Sequence, residues 1–320
     1  MPTERGVHSA VERELFLRSM LFGRALGSGA KQLARGMRER SFEAGSLLFE
    51  AGAPSDDMYF IVSGSVRLSA PGVPDWEFGP SSVVGAVDAD LDRPHARTAR
   101  ALTDVEALVL NNDDRLEVLE DNFDQTRSMI LFGAERLYHL TRQLPGTDSV
   151  REIDYASCPA QDPLPLVERV LTLREAPIFS RSGIQALVSL SPYIEELRLA
   201  PGQALFERST TRGSFCVVAC GTIELERAEP HGVAHFGPGS LVGGATALAD
   251  IERDEQARAL SDSVVLRVRL EEFFDVMEDH FDLARSVFAY LAEERERVMN
   301  LIELGKTAVL DGRKLFGMKG

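Results

Sequence analysis

Short apolar runs, each closed by a turn and followed by alternating apolar and polar residues, recur along the chain. Residues 58–62 form an apolar run of strand length that ends at a Ser-Gly turn, 63–64. Val66 and Leu68 then alternate with polar residues, which is the pattern of a strand with one wet face. Residues 215–226 repeat these features in the same order. The pattern predicts a fold built from short strands with turns at nearly regular intervals.

Helical periodicity is found on both sides of each group of predicted strands. Shorter helical segments precede them at residues 16–40 and 173–197, and long amphipathic helices follow at 113–142 and 271–304. Acidic residues in the first turns of the long helices suit the helix dipole. The second long helix carries an apolar stripe, which would pack on its own strands or partly on a second copy of the chain: Leu283, Val287, Leu291, Val298, Leu301 and Ile302.

The two halves of the chain are related by a tandem duplication. At an offset of 157 residues, residues 42–52 lie over 199–209 and the first strand run lies over the second. One residue is inserted near 229–232, after which an offset of 158 aligns 118–128 with 276–286. A single insertion over about 115 aligned residues is not expected by chance, so the chain contains two copies of one domain.

The repeat also predicts the domain boundaries. We expect a first domain at residues 1–143 and a second at 167–305, and a length of 320 residues suits two domains of this size. Residues 144–166 are rich in proline and show little apolar periodicity, which indicates a linker. Residues 306–320 would form a short C-terminal tail.

The chain is acidic, and this narrows the range of partners. Its formal net charge is −15 and its pI is about 4.9, so its field repels nucleic acid. No apolar stretch is long enough to span a membrane, and the N-terminus lacks the apolar core of a signal peptide. Three cysteines are too few, and odd in number, for a disulfide framework. We therefore expect a cytoplasmic protein that binds neither nucleic acid nor a membrane.

A set of glycine, aromatic and arginine positions occurs once in each half. The residues are Gly45 and Phe49 with Gly202 and Phe206, then Gly64-Ser65-Val66 with Gly221-Thr222-Ile223, and Arg100-Ala101 with Arg258-Ala259. They resemble the motifs of the cyclic-nucleotide-binding domain, over residues 16–142 and 173–303. The resemblance implies an α+β protein with two tandem jelly-roll β-barrels, each flanked by helices. This arrangement is similar to the regulatory subunit of cyclic-AMP-dependent protein kinase.

The resemblance also implies where a ligand would bind. In the family, the cyclic phosphate of cAMP or cGMP lies at the start of a short helix, where an arginine neutralises it and a nearby glutamate binds the ribose. The glutamate position is Ala86 in the first half and Gly244 in the second, and the arginine position is His95 and Arg253. The candidate ligand-binding residues are Gly85, Ala86, His95 and Arg97 in the first half, with Gly243, Gly244, Ala245, Arg253 and Asp254 in the second.

The chain departs from the family pattern at these positions. Neither half has the glutamate, and a hydrogen bond to a charged group is worth roughly 1.5–3 kcal/mol, so nucleotide binding weakens about 10- to 150-fold. The first half also lacks the arginine, although Arg93 and Arg97 beside His95 could replace its charge. In the second half, three neighbouring carboxylates favour an Arg253 that pairs with them at the surface: Glu252, Asp254 and Glu255.

Two functions from different classes remain open. The sequence has no nucleophile, phosphate-loop or metal-ligand motif, so we expect neither an enzyme nor a metal site. Too few residues follow the last long helix for a helix-turn-helix, which argues against a transcription factor. The favoured hypothesis is a regulatory scaffold that acts through a protein partner or a homo-oligomer, with weak or no nucleotide binding. The alternative is a sensor that binds cAMP or cGMP in the second domain through Arg253 and signals to a partner.

Overall fold

A computed structural model gives the fold of the chain as two compact units. The first unit combines Met1–Met129 with Ala292–Gly320, and the second is Ile130–Leu291. The structure describes residues 9–20, 28–144, 158, 163–209, 213–227 and 232–311. Most of the predicted linker and the end of the predicted tail therefore lie outside the described residues, and the predicted domain boundaries stay a prediction.

The first unit contains a β-roll, which we call the first roll. Its described strands are β1 (Arg38–Phe42), β2 (Leu47–Phe49), β3 (Asp57–Ser63), β4 (Val66–Ser69), β5 (Trp76–Phe78), β6 (Val83–Val84), β7 (Thr98–Ala101) and β8 (Val105–Asn111). They form two antiparallel sheets with the orders β1-β8-β3-β6 and β2-β7-β4-β5. As the alternation predicts, β4 buries Val66 and Leu68 and exposes Arg67. The buried faces of the two sheets form one apolar core with Tyr59, Ile61 and Trp76.

Helices precede, interrupt and follow the first roll. They are α1 (Ala10–Met20), α2 (Ser28–Gly36), the short α3 (Ala86–Asp90) between β6 and β7, α4 (Asn112–Asp121) and α5 (Phe123–Thr141). Helix α4 begins directly after β8 because the Asn111 side chain accepts hydrogen bonds from the N–H groups of Asp113 and Asp114. The predicted acidic first turn is thus confirmed. The boundary between the two units falls within α5.

The second unit contains a second roll with the same strand order. Its described strands are β9 (Glu195–Leu199), β10 (Ala204–Phe206), β11 (Ser214–Cys220), β12 (Ile223–Arg227), β13 (Val233–Phe236), β14 (Leu241–Val242), β15 (Glu255–Ala259) and β16 (Ser263–Arg269). The sheets run β14-β11-β16-β9 and β10-β15-β12-β13. Its helices are α6 (Leu166–Glu175), α7 (Ile184–Leu190), α8 (Gly244–Leu248) and α9 (Leu270–Asp279), with 3-10 turns at Pro177–Phe179 and Ser191–Tyr193. Helix α10 (Phe281–Asp311) begins in this unit, and its residues from Ala292 onward belong to the first unit. The two rolls confirm the predicted pair of jelly rolls with flanking helices.

The helical segments predicted before the strands are wrong at their C-terminal ends. Residues 38–40 belong to β1, which pairs with β8 from Arg38 opposite Val109 onward. Residues 195–197 belong to β9, which pairs with β16 in the same way. Hydrogen bonds to a distant strand outweigh the weak helical preference of the local sequence.

Each long helix that the sequence predicts is two helices. Asn122 separates α4 from α5, and His280 separates α9 from α10, both with φ −133° and ψ 79°. The Asn122 side-chain amide donates to the carbonyl of Val118, 2.8 Å away, which closes the end of α4. The same break at the same place in both repeats shows that the corner belongs to the duplicated domain.

The apolar stripe of α10 is buried over most of its length. Leu283, Val287 and Val298 have no exposed surface and Leu291 is 8% exposed, whereas Leu301 near the end of the stripe is 43% exposed. The stripe is thus buried within the chain, but Val298 lies in the first unit, so the expectation that the whole stripe packs on the strands of the second roll is wrong. Among the described helices, none is both long and apolar enough to cross a membrane.

A disulfide joins Cys158 to Cys220 at the end of β11 in the second unit. The two Cα atoms lie 5.4 Å apart, which is an ordinary spacing for a disulfide. The sequence analysis did not predict this bond, because an odd number of cysteines excludes a complete framework but still allows one pair. Cys216 is buried as a free thiol, and burial raises its pKa to about 11.

Candidate functional site

The candidate site of the first roll is built around a short cassette, residues 85–101, which runs from α3 through β7. Gly85 precedes α3 with φ 91°, a left-handed conformation that favours glycine. A Cβ atom here would lie 2.9 Å from the carbonyl oxygen of Asp57 and 3.5 Å from the His95 ring. The candidate residues Gly85 and His95 are therefore neighbours, and Ala86 is the first residue of α3.

His95, at the family's arginine position, is buried and held between two groups. It is 3% exposed, and its ring stacks on Phe49 with centroids 3.6 Å apart and planes 13° apart. Its Nδ1 atom lies 3.5 Å from Oδ2 of Asp88. A compact imidazole thus replaces the long guanidinium that the family has here, and a carboxylate from α3 lies against it.

Asp88 is a buried carboxylate that accepts hydrogen bonds from several donors. Its Oδ2 accepts the backbone N–H of Ala96 at 3.2 Å, and its Oδ1 accepts Nε of Arg93 at 2.8 Å. Burial alone would raise the pKa of Asp88, but the hydrogen bonds from His95 and Arg93 hold that pKa below its usual value. Asp88 is therefore ionised at neutral pH, and a fixed negative charge lies inside the cassette.

Arg97 faces away from His95 and does not supply the missing charge next to it. Its guanidinium lies 3.8 Å from the centroid of Trp76 and donates to the carbonyl of Pro74 at 2.6 Å. A second donor bonds Oδ1 of Asn300 at 2.8 Å, on the part of α10 that belongs to the first unit. The interpretation that Arg97 replaces the family's arginine is wrong, because its donors are engaged with the backbone and with α10.

The middle of α10, at residues 295–300, closes this site. Arg93 donates to Glu296 at 2.9 Å, and Met299 packs against the core of the first roll. A cavity of about 20 Å³ remains, and its lining includes Gly85, Ala86, Asp88 and Arg97 together with Arg295, Glu296 and Met299. Small-molecule sites usually measure roughly 300–1,000 Å³, so this cavity has room for about one water molecule and not for a nucleotide.

The second cassette, residues 243–259, keeps the arginine in a buried position. Arg253 is 3% exposed, its guanidinium lies 4.0 Å from the centroid of Phe206, and it donates to the carbonyl of Ser214. Gly243 precedes α8 with φ 71°, and a Cβ atom here would collide with Nη1 of Arg253. The guanidinium therefore lies against the cassette backbone, and the interpretation of Arg253 as a surface residue is wrong.

The family's glutamate position in the second cassette is sterically closed. Gly244 is the first residue of α8, and a Cβ atom here would collide with the side chain of Leu241. The neighbouring candidate residue, Ala245, is half-buried in the same helix. Leu241 thus fills the space into which a longer side chain at position 244 would extend.

A second buried carboxylate lies near Arg253. Glu255 is 5% exposed, accepts the hydroxyl of Thr246 at 3.1 Å and lies 3.7 Å from Arg227. Burial raises its pKa, and Arg227, Thr246 and Arg253 only partly oppose that rise. Burial also lowers the pKa of Arg253, although Glu255 opposes it. The second cassette therefore holds a guanidinium and a carboxylate that are both poorly solvated.

Asp254 is bound by the end of α5, in the part that belongs to the second unit. Its carboxylate pairs with Arg142 and accepts the Tyr138 hydroxyl at 3.2 Å. At the offset of 158 residues, Tyr138 and Arg142 correspond to Glu296 and Asn300 of α10. The two helices thus contact a cassette through equivalent positions but with different charges.

The structure brings Gly85 next to His95 and Gly243 next to Arg253, whereas the side chains of Arg97 and Asp254 bind helical residues outside the cassettes. Other residues of the sites were missed. Phe49 and Phe206 were identified only as motif residues. In the structure, Phe49 stacks on the His95 ring and Phe206 lies under the Arg253 guanidinium. Asp88 binds Arg93, His95 and Ala96 within eight positions of itself, but nothing in the sequence shows that it faces them. The α10 residues had no local signal, because their role depends on contacts about 200 positions apart, such as Arg93 with Glu296. Comparing α5 with α10 position by position would have pointed to them.

Comparison with known proteins agrees with this geometry. The family described as "Cyclic nucleotide-binding domain" matches residues 39–122 and 196–280, together more than half of the chain. The two matches cover the two rolls, including both cassettes. The tandem arrangement inferred from the duplication is thus confirmed.

Several curated proteins are similar to parts of the chain. A cyclic nucleotide-gated potassium channel of Mesorhizobium japonicum is 32% identical over 83 residues, 26% of this chain and 23% of the channel. An uncharacterized NTE family protein of Mycobacterium bovis is 26% identical over 147 residues, 42% of this chain and 25% of that protein. The chain spans about a quarter of the length of these relatives.

Among solved structures, the regulatory domain of Toxoplasma gondii PKA with cAMP is 14% identical, with a TM-score of 0.33, over 94% of this chain and 97% of that one. The family assignment rests on the two matched segments and on the duplicated rolls that they cover. Each segment carries a cassette that begins after its sixth strand and includes its seventh. The chain belongs to the cyclic nucleotide-binding domain family.

Proposed function

We propose that this chain is a non-enzymatic regulatory protein that acts through contacts with a protein partner or with a second copy of itself, with weak or no nucleotide binding. The observation that carries the proposal is the state of the first cassette. Its cavity of about 20 Å³ is closed by α10, and a buried carboxylate lies where the family binds an anion. A cyclic nucleotide would have to displace that helix and approach that negative charge.

The second cassette also supports this proposal, but less strongly than the first. It lacks the ribose-binding glutamate, and Leu241 occupies the space beside Gly244. The carboxylate of Glu255 already interacts with the retained Arg253 and repels a second anion. Two domains of 1–143 and 167–305, joined by 144–166 and followed by 306–320, would then serve as a scaffold rather than as a pair of receptors.

A sensor function is the second candidate, and one observation favours it. Arg253 is buried on Phe206 and lies against Gly243 at the start of α8, as an arginine that receives a cyclic phosphate would be. In this candidate, cAMP or cGMP binds the second domain at Gly243, Gly244, Ala245, Arg253 and Asp254, and the protein signals to a partner.

Thermal unfolding separates the two candidates. The purified chain is heated with and without millimolar cAMP, cGMP or a cyclic dinucleotide, because a ligand at 100 times its Kd adds about 2.7 kcal/mol of stability. We expect no shift of Tm with any of the three. A shift that Arg253→Ala removes, and that the matched variant His95→Ala in the first cassette keeps, would establish the sensor instead.

The scaffold also requires a contact surface. Sedimentation of the purified chain over a range of concentrations tests for a second copy. A chain that stays monomeric and that captures no protein from a cell extract would contradict the scaffold.

A further inference from the structure

Three donors converge on the Asp88 carboxylate inside the first cassette. They are the backbone N–H of Ala96 at 3.2 Å, Nε of Arg93 at 2.8 Å and the ring of His95 at 3.5 Å. The Asp88 side chain is only 9% exposed. We call this group of donors the anion seat. A buried anion that accepts a backbone N–H and faces two basic side chains is bound in the way that proteins bind small oxyanions.

The second cassette carries no charge at the equivalent position. Thr246 takes the place of Asp88 at the offset of 158 residues, and its hydroxyl donates to Glu255 at 3.1 Å. The backbone of the two cassettes is otherwise alike, with a left-handed glycine, a short helix and an aromatic ring under the residue at position 95 or 253. The carboxylate is therefore not needed to form a cassette, and its presence in the first one requires a separate explanation.

The anion seat is linked to α10 through Arg93. One side of the Arg93 guanidinium binds Asp88 and the other binds Glu296 at 2.9 Å. Without the Asp88 charge, Arg93 would lose the group that fixes its orientation. Arg97, Asn300 and Trp76 form a second connection between the cassette and the same helix. The anion seat is therefore one of two connections that hold this part of α10 over the cassette.

We propose that Asp88 is a built-in ligand of the first roll: its carboxylate fills the anion seat from within the chain and, through Arg93, holds α10 over the cassette. The first domain is thus permanently in a ligand-occupied form. This inference goes beyond the proposed function and does not depend on whether the second domain binds a nucleotide.

Chemical rescue tests this directly. Asp88→Ala keeps the Cβ atom and removes the carboxylate, so formate is the missing group supplied from solution. We expect a lower Tm for Asp88→Ala than for the wild type, and a partial recovery in sodium formate or phosphate compared with sodium chloride at equal ionic strength. Oxyanions also stabilise folded proteins in general, so the gain of Asp88→Ala should exceed the gain that the wild type and the matched variant Thr246→Ala show in the same salts. An equal response of Asp88→Ala and the wild type would overturn the proposal.

A local measurement accompanies the melting temperatures. The chain has a single tryptophan, Trp76, which is 3% exposed and lies under Arg97 beside α10. Well below Tm, Asp88→Ala should shift the tryptophan emission to longer wavelength, and formate should reverse the shift. Thr246→Ala should leave the emission unchanged. An emission that does not respond in Asp88→Ala would refute the connection to α10.

A second variant covers the case in which Asp88→Ala does not fold. Asp88→Asn fills the same space without the charge, so it should melt below the wild type but gain no more from formate than the wild type does. An Asp88→Asn variant as stable as the wild type would show that the anion seat does not require an anion.

Discussion

The two cassettes share one backbone conformation but carry different charged side chains. In the first, His95 stacks on Phe49 and faces an ionised Asp88, whereas in the second, Arg253 lies on Phe206 near a poorly solvated Glu255. The left-handed glycine, the short helix and the aromatic ring are common to both. Duplication has therefore kept the parts that shape the backbone and has changed the parts that would recognise a ligand. A shared fold consequently says little about shared binding.

The largest expected difference between the rolls comes from the disulfide, which only the second one has among the described residues. Position 220 is cysteine in the second roll, and its equivalent in the first is Ser63. The bond closes a loop with a sequence separation of 62, so Cys158→Ser should destabilise the chain by about 4 kcal/mol under oxidising conditions. Urea unfolding with and without reductant measures the loss. The variant itself should not respond to reductant, and a wild type equally indifferent to reductant would contradict the bond.

The contributions of Asp88 and Glu255 to the free energy of unfolding should change with pH in opposite directions. The folded-state pKa of Asp88 lies below the ordinary value of about 3.9, so its contribution is present above that value and is lost as pH falls through the folded pKa. Since a hydrogen bond to a charged group is worth about 1.5–3 kcal/mol, the loss in acid should be of that order. Glu255 has a raised pKa, so ionising it destabilises the fold as pH rises above about 4.3.

Isosteric amides separate these two contributions. Asp88→Asn should remove part of the stability lost in acid, and Glu255→Gln should make the chain more stable at neutral pH than the wild type. Chemical unfolding over a pH series that extends below and above the ordinary carboxyl pKa values, about 3.9 and 4.3, provides the measurement. A Glu255→Gln variant that is less stable than the wild type at neutral pH would show that its pairing with Arg227 outweighs its burial.

The rings of Phe49 and Phe206 should contribute different amounts to the free energy of unfolding. Phe206→Leu removes a cation–π contact with a desolvated guanidinium, worth about 2 kcal/mol, whereas Phe49→Leu removes a ring–ring contact worth about 1 kcal/mol. Phe236→Leu and Phe78→Leu, at equivalent positions in the two cores, give the background cost of the substitution. Equal losses above that background would mean that the guanidinium gains nothing from its ring.

The smallest effect concerns the ion pairs that α5 and α10 make with the cassettes. Glu296 binds Arg93 and Arg142 binds Asp254, and all four side chains are partly exposed. Replacing Glu296 or Arg142 by Gln should therefore lower the free energy of unfolding by only about 0.5 kcal/mol, and less in high salt. Glu294→Gln, which breaks an exposed pair within α10, is the control. A loss of several kcal/mol would mean that the helix contact depends on charge rather than on packing.

The sequence predicts the rolls well and the sites only in part. Strands such as β4 are predictable because alternate residues face the core, and the duplication provides every strand with an independent copy. The break at Asn122 was not predicted, since the amphipathic pattern continues across it. The burial of Arg253 was not predicted either, because Phe206 and Ser214 are distant in sequence and meet it only in the folded roll.

The contact between Leu241 and position 244 has a consequence for the history of the second cassette. A glutamate introduced at Gly244 would meet the Leu241 side chain at once, so the single change back to a ribose-binding residue is disfavoured by the fold itself. The Leu241 side chain would have to move or be replaced by a smaller residue to make room for it. Substitutions at positions 241 and 244 are therefore coupled: the effect of either depends on the residue at the other.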